Sequence, residues 1–415
     1  MAELHPFKAV RPTRDKAHLV ATRPLASYKK HILKAKLEEN PYTFIHIIHP
    51  EEALQSTAHR AYGKPGSPER FKAVKQRFHE FEAEGVLFQD DAPSIYIYRQ
   101  TTPQHTFTGV VAGASIAEYE ADLIKKHEAT LTTREEMFTN YLDIVGFNAE
   151  PVLLSHEPSD AIEAFLAGAT TARPEYEFST TDYVKHELWV LDAAQTVTIQ
   201  ELFATIPALY IADGHHRSAS SARLAEKYRD ANNTFVNPQF FLAFLIDERR
   251  MCILEFNRLV KTLNGHTVDS FLTALATSFE VKELASGRNP EREHELTCYI
   301  AGTWYSLTGK PAICSSTDPV KSLDAQILTD VVLTPILGIA DLKTDQNISF
   351  VSGAEGLHAI EKAVDSGQAA VGFVLFPVRM EQVKAVADNQ LIMPPKSTWV
   401  EPKIRSGLTI YMINE

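Results

Sequence analysis

The amino-acid sequence predicts an α+β or mixed α/β fold. Apolar runs of strand length recur along the chain, and stretches with apolar residues at helical spacing lie between them. No repeat or low-complexity segment breaks the alternation. The 415 residues, 44% hydrophobic and 23% charged, are enough for two or three domain cores. Three regions are expected, 1–115, 116–260 and 261–415, with interweaving allowed because no long linker marks a border.

Taken in order, "YTFIHIIH" (42–49) reads as a strand whose two-residue period sends His46 and His49 to opposite faces. Residues 68–88 read as an amphipathic helix, "SIYIYRQ" (94–100) as an alternating strand, and "FTGVVAGASI" (107–116) as the strand pairing with it. A polar loop follows, then a helix from Thr132 or Thr133, where a threonine three residues before an acid suits a cap. "YVKHELWVLD" and "ALYIADG" read as strands separated by a helix, and "QFFLAFLID" with "RMCILEFNRLV" as a hairpin turning at "ERR". Further on, "TVDSFLTALATSF" and "SLDAQILTDVVLTPIL" read as helices, "TCYIAGTWYSLT" and "PAICSS" as strands. The tail alternates strand and helix and ends on the strand "LTIYMI".

The net charge of −12 argues against nucleic acid or an anionic membrane as partner, since both attract a basic field. A small-molecule substrate is expected instead, with homodimer formation left open. Cys252, Cys298 and Cys314 have no paired spacing, so neither disulfides nor a thiolate metal site is expected. The first residues lack an apolar signal core, and no apolar run approaches the ~20 residues of a bilayer span. A cytoplasmic location is expected.

The chemistry concentrates in "LYIADGHHRSASSA" (209–222). A strand that ends at Asp-Gly and opens a helix presents the first amides of that helix, with the positive end of its dipole, to whatever lies beyond. Gly214 permits close backbone approach, while His215, His216 and Arg217 add donors for a phosphate. Asp213 reads either as a cap, as a Mg²⁺ ligand beside phosphates, or as a base toward a hydroxyl. Adjacent histidines diverge by about 100° on a helix, so zinc on His215 and His216 is disfavoured.

Over nearly its full length the chain resembles the bacterial and archaeal family named for domain of unknown function 1015, whose members carry "YIADGHHR" in this form. The resemblance rests on that motif together with "HPFKAVRP", "KKHEATLTTREE", "EFNRLV", "SLDAQILTDVVLTPILGI" and "MPPKSTWVEPKIRSGLTIY". More distantly, the strand, Asp-Gly-His-His-Arg and helix are similar to ParB-type nucleotide-binding domains, sulfiredoxin and free-serine kinases. In that superfamily the corresponding turn holds nucleotide phosphates. The resemblance implies a ParB/sulfiredoxin-like core with large additional α/β elements, and ATP or ADP as the nucleotide. Through an association with serine biosynthesis it also implies serine or a similar hydroxylated metabolite as acceptor. His215 stands where sulfiredoxin carries its catalytic cysteine, so sulfinic-acid reduction is not expected.

Other residues are candidates for the same site. Lys396 follows two prolines in "MPPKST", a stiff loop suited to a phosphate clamp. His127 and Glu128, in the polar loop, are candidate acid or base groups. Arg258, beside Asn257 at a strand end, is a candidate phosphate contact, and Arg11 and Arg14 are expected to line the pocket. The expected function is a nucleotide-dependent phosphotransferase or related phosphate-ester enzyme, with His215, His216 and Arg217 stabilising the transferred group. The alternative is a non-catalytic, nucleotide-binding regulatory module of ParB type.

Overall fold

The computed structural model describes residues 2–50, 64–231 and 234–415. It separates into two compact units. The first comprises Met1–Lys126, Thr130–Met251 and Pro402–Glu415, the second His127–Ala129 and Cys252–Glu401. The chain is a mixed α/β protein. Among the described residues no helix is long and apolar enough to cross a membrane.

The first unit is built on a nine-stranded sheet: β1 (Leu4–His5), β2 (Tyr96–Thr101), β3 (Thr106–Ser115), β4 (Ile124–Lys125), β5 (Val152–His156), β6 (Tyr176–Ser179), β7 (Lys185–Val190), β8 (Leu209–Asp213) and β9 (Phe240–Asp247). The strand order is β4-β8-β5-β9-β3-β2-β7-β6, with β1 added alongside the end of β3. β4/β8 and β5/β9 are parallel and the remaining pairs antiparallel. The central strands are apolar on both faces, as strands covered from both sides must be.

Among the described residues of this unit the longer helices are α1 (Lys30–Glu39), α2 (Pro68–Ala83), α3 (Thr132–Val145), α4 (Asp160–Ala169), α5 (Ala193–Phe203) and α6 (His215–Asp230). Helix α5 starts at an Asp192/Gln195 capping box. Its Ile199 and Phe203 join Ile162 and Leu166 of α4 in a core with Val110, Leu154 and Ile211 of the sheet. Phe71, Val74, Phe78 and Phe81 of α2 form a second core with Phe147, whose ring stacks 4.4 Å from Phe78.

The second unit carries an all-antiparallel six-stranded sheet: β10 (Phe256–Val260), β11 (Phe279–Leu284), β12 (Glu295–Ile300), β13 (Thr303–Gly309), β14 (Ile348–Ser352) and β15 (Val371–Val374), in the order β11-β13-β12-β15-β10-β14. Its longer helices, among the described residues, are α7 (Val268–Leu275), α8 (Leu357–Asp365) and α9 (Met380–Asp388).

Several sequence expectations need correction. "YTFIHIIH" contains a one-turn helix, Ile45–Ile48, despite its β-branched residues, with His46 Nε2 3.0 Å from the Asn40 carbonyl oxygen. "PAICSS" likewise holds a short helix, Pro311–Cys314, with proline in its first turn. The hairpin at "ERR" does not form: β9 pairs with β3 and β5, whereas β10 pairs with β14 and β15. Helix α3 begins at Thr132, but its N-cap is Leu131 and no side chain caps it. "SLDAQILTDVVLTPIL" gives a short helix, Asp324–Leu328, that widens into a π-turn at Thr329–Leu333.

Candidate functional site

β8 runs antiparallel to β5, and its register shifts between Ile211 and Asp213, which leaves Ala212 as a bulge. A bulge re-aims the residue that follows it. Asp213 therefore ends a strand that is otherwise buried, with its own side chain 41% exposed. Gly214 follows at φ 106° and ψ 25° and is the N-cap of α6. Its carbonyl accepts from the amides of Arg217 (2.8 Å) and Ser218 (3.1 Å), which fixes the first turn. The positive φ requires glycine, and a Cβ here would lie 3.0 Å from Nε and Nη2 of Arg217.

Helix α6 enters the protein through small residues. Ser218, Ala219, Ser220 and Ser221 are buried. The serine hydroxyls donate back to the carbonyls of His215, His216 and Arg217 respectively (3.0, 2.7 and 2.9 Å). Each hydroxyl is thus satisfied within its own helix, which allows this polar face to be buried.

At the turn, the Asp213 carboxylate lies between two cations. Lys403 Nζ is 3.0 Å from Oδ2, and Arg217 Nη2 is 3.7 Å from Oδ1. Burial pushes the Asp213 carboxyl up, but Lys403 and Arg217 outweigh it and hold it below the ordinary carboxylate range. Arg217 is anchored by a second bond, Nη1 to the Pro151 carbonyl at 2.5 Å.

Sequence reasoning missed Lys403, which stands 190 residues from its partner. It comes from the last segment of the unit, which a buried network holds in place. Arg405 donates to Asp182 Oδ2 (2.7 Å), to Thr180 Oγ1 (3.2 Å) and to His186 Nε2 (3.3 Å). His186 Nδ1 is 2.8 Å from the Tyr98 hydroxyl. These partners assign the neutral tautomer, with Nδ1–H donating to Tyr98. Burial, reinforced by Arg405, pushes the His186 imidazole down to about 3. Burial raises the Asp182 carboxyl, and Arg405 with Thr180 brings it down to about 2. In sequence the "EPKIRSG" segment stands out only through the family resemblance. A lysine and an arginine two residues apart in an extended stretch were the available signal.

Arg217 and Ser220 also line a cavity of about 440 Å³ in the same unit, whose wall includes Arg70, Phe71, Phe138 and Tyr141. Its size and mixed lining are those of a small-molecule pocket.

The structure brings Asp213, Gly214, His215, His216 and Arg217 together in the first unit. His127, Glu128, Arg258 and Lys396 belong to the second. There His127 is buried, its carbonyl accepts from the Met393 amide (2.9 Å), and burial pushes its imidazole down to about 4. Glu128 and Lys396 are exposed, and Arg258 is fully buried. Arg11 is committed elsewhere, to Asp90 at 2.7 Å and the Tyr176 hydroxyl at 2.8 Å, while Arg14 is exposed. The expectation that Arg11 serves the pocket is corrected: its donors belong to a structural ion pair.

The family described as "Protein of unknown function (DUF1015)" matches residues 4–326. The chain belongs to that family. No curated protein matches this DUF1015 chain. Among solved structures it is similar to a free serine kinase in complex with AMP, at 12% identity over 72% of this chain and 91% of that one, with a TM-score of 0.35. It is also similar to a conserved hypothetical protein from Pyrococcus furiosus (14% identity, 73% and 95% covered, TM-score 0.35). SbnI from Staphylococcus aureus, truncated at its C-terminus, gives 12% identity, 73% and 87% covered, and a TM-score of 0.38.

Proposed function

We propose that this DUF1015 protein binds a nucleotide with its phosphates at the Asp213–Arg217 turn and transfers a phosphoryl group to or from a small hydroxylated metabolite such as serine. The observation that carries this reading is the turn itself. Gly214 opens α6 at positive φ, and the adjoining carboxylate is flanked by two cations. The Arg217 guanidinium stands beside this turn, where the helix dipole and the first free amides already favour an anion. His215, His216 and Arg217 would stabilise the equatorial oxygens of the transferred group. The cavity beside Arg217 has room for the remainder of the ligand.

The site's donor set bears on Mg²⁺. Among the described residues no three histidine, cysteine or carboxylate side chains cluster as a metal site. Asp213 is a single carboxylate already spanned by Lys403 and Arg217. This fits an ion carried in on the nucleotide, with Asp213 as a protein carboxylate for it, and does not fit a resident ion. Such an ion would neutralise phosphate charge. A carboxyl held below its ordinary range is a weak proton acceptor. Asp213 therefore serves to orient Lys403 and Arg217 and to accept a hydrogen bond from the acceptor hydroxyl. The same observation favours a second reading, a nucleotide-binding regulatory module without turnover.

Calorimetry with magnesium–ADP tests the proposal. Wild type is expected to bind, and Lys403→Met to bind about tenfold more weakly, a loss of ~1.4 kcal/mol. Absence of nucleotide binding by the wild type would overturn both readings. ATP consumption that depends on added serine or a similar acceptor supports transfer. Nucleotide-dependent dimerisation in sizing chromatography without turnover supports the regulatory module.

A further inference from the structure

Arg258 lies in β10 between β14 and β15, opposite Phe350 on one side and Phe373 on the other. It is the largest fully buried side chain among the described residues. Its Nη1 donates to the Phe256 carbonyl, and its guanidinium lies 5.3 Å from the centre of the Phe350 ring. Nε and Nη2 are buried without a hydrogen-bond partner among the described residues. Among the described residues no carboxylate offsets the charge, and burial pushes the group down to about 9.

A buried guanidinium with two of its three nitrogens unmet is strongly unfavourable, and an anionic ligand is one way to complete such a group. The pattern of unmet donors is informative. Nε–H and the adjacent Nη2–H are parallel and form the edge that matches two oxygens of a carboxylate or phosphate. Phe256, whose carbonyl holds Nη1, also carries the exposed ammonium of Lys396 over its ring at 5.2 Å. Lys396 adopts a positive φ of 60° in its proline-stiffened loop. An exposed cation and a buried one thus share one aromatic residue.

We propose that Arg258 binds an oxyanion, a carboxylate or phosphate group, bidentately through Nε and Nη2 in the second unit, with Lys396 as the outer cation that attracts it. This stands independently of the reading of Asp213.

Thermal melting of the full chain tests it in an Arg217→Ala background, so that the Asp213 turn does not contribute. Inorganic phosphate and acetate are the probes, at constant ionic strength held with chloride. At least one probe is expected to raise the melting temperature by several degrees over chloride. A gain with phosphate alone identifies a phosphate ligand, and with acetate alone a carboxylate. Adding Arg258→Met is expected to raise the melting temperature without probe, because an unmet buried charge is gone, and to abolish the gain. Lys396→Ala, at an exposed position, is expected to reduce the gain. Hydrogen exchange across 256–260 in the Arg217→Ala protein gives a reading that needs no change at Arg258, and should slow with the active probe. No gain with either probe, a gain that survives Arg258→Met, or exchange that is unchanged by probe would overturn the proposal.

Discussion

Replacing Gly214 by alanine is expected to weaken nucleotide binding about 10- to 100-fold while the protein stays folded. A φ of 106° lies outside the region open to an L side chain, at a cost of roughly 1–3 kcal/mol. The added Cβ would also meet Arg217 Nε and Nη2 at 3.0 Å. A guanidinium can retreat by a few tenths of an ångström, but here the retreat moves the group proposed to hold phosphate. Either outcome, a relaxed turn or a displaced Arg217, spoils the same site. Calorimetry with magnesium–ADP, alongside a melt to verify folding, measures the loss. Binding as tight as wild type would contradict the role given to the turn.

Acidification should destabilise the first unit through His186. An unfolded imidazole titrates near 6.5, while in the fold it titrates at about 3. Between those values the unfolded chain binds a proton that the native one refuses. The stabilising contribution is therefore complete above about pH 6.5 and is lost as pH falls toward 3, with a slope of up to ~1.4 kcal/mol per pH unit. Asp182, held at about 2, adds a loss of the same sign below the ordinary carboxyl range, as pH falls through its folded value. Because the network anchors the segment bearing Lys403, nucleotide affinity should fall over the same window. Melting between pH 7.5 and 4.5 checks this: His186→Gln should show a slope shallower by one proton. Identical profiles in variant and wild type would exclude His186 as the source.

The turn at Asp213 was legible in sequence because all of its logic is local. An apolar run, an acid, a glycine and a row of donors fix a strand end, a positive φ and a helix start without reference to the rest of the chain. The strand ends at Asp213, one residue before the glycine. The bulge that aims Asp213 depends on pairing with Leu153 and Leu154 and leaves no mark in the motif. Lys403 and the Arg405 network depend on the return of the last segment to the sheet, a long-range event with no periodic signature. The false hairpin at "ERR" has a similar cause. Two apolar strands around a polar turn look alike whether they pair together or enter different sheets. Here Arg249 and Arg250 pair with Asp160 and Glu163 of α4, so the turn serves the first unit's surface. The one-turn helix at Ile45–Ile48 shows burial overriding strand propensity, since Phe44, Ile45 and Ile47 are all fully buried.

A crystal structure of the full chain with magnesium–ADP tests the central claim most directly. The account predicts phosphate oxygens at the N-terminus of α6, within hydrogen-bonding distance of Arg217, with the nucleoside directed into the neighbouring cavity. A nucleotide bound with its phosphates away from Gly214 and Arg217 would contradict it.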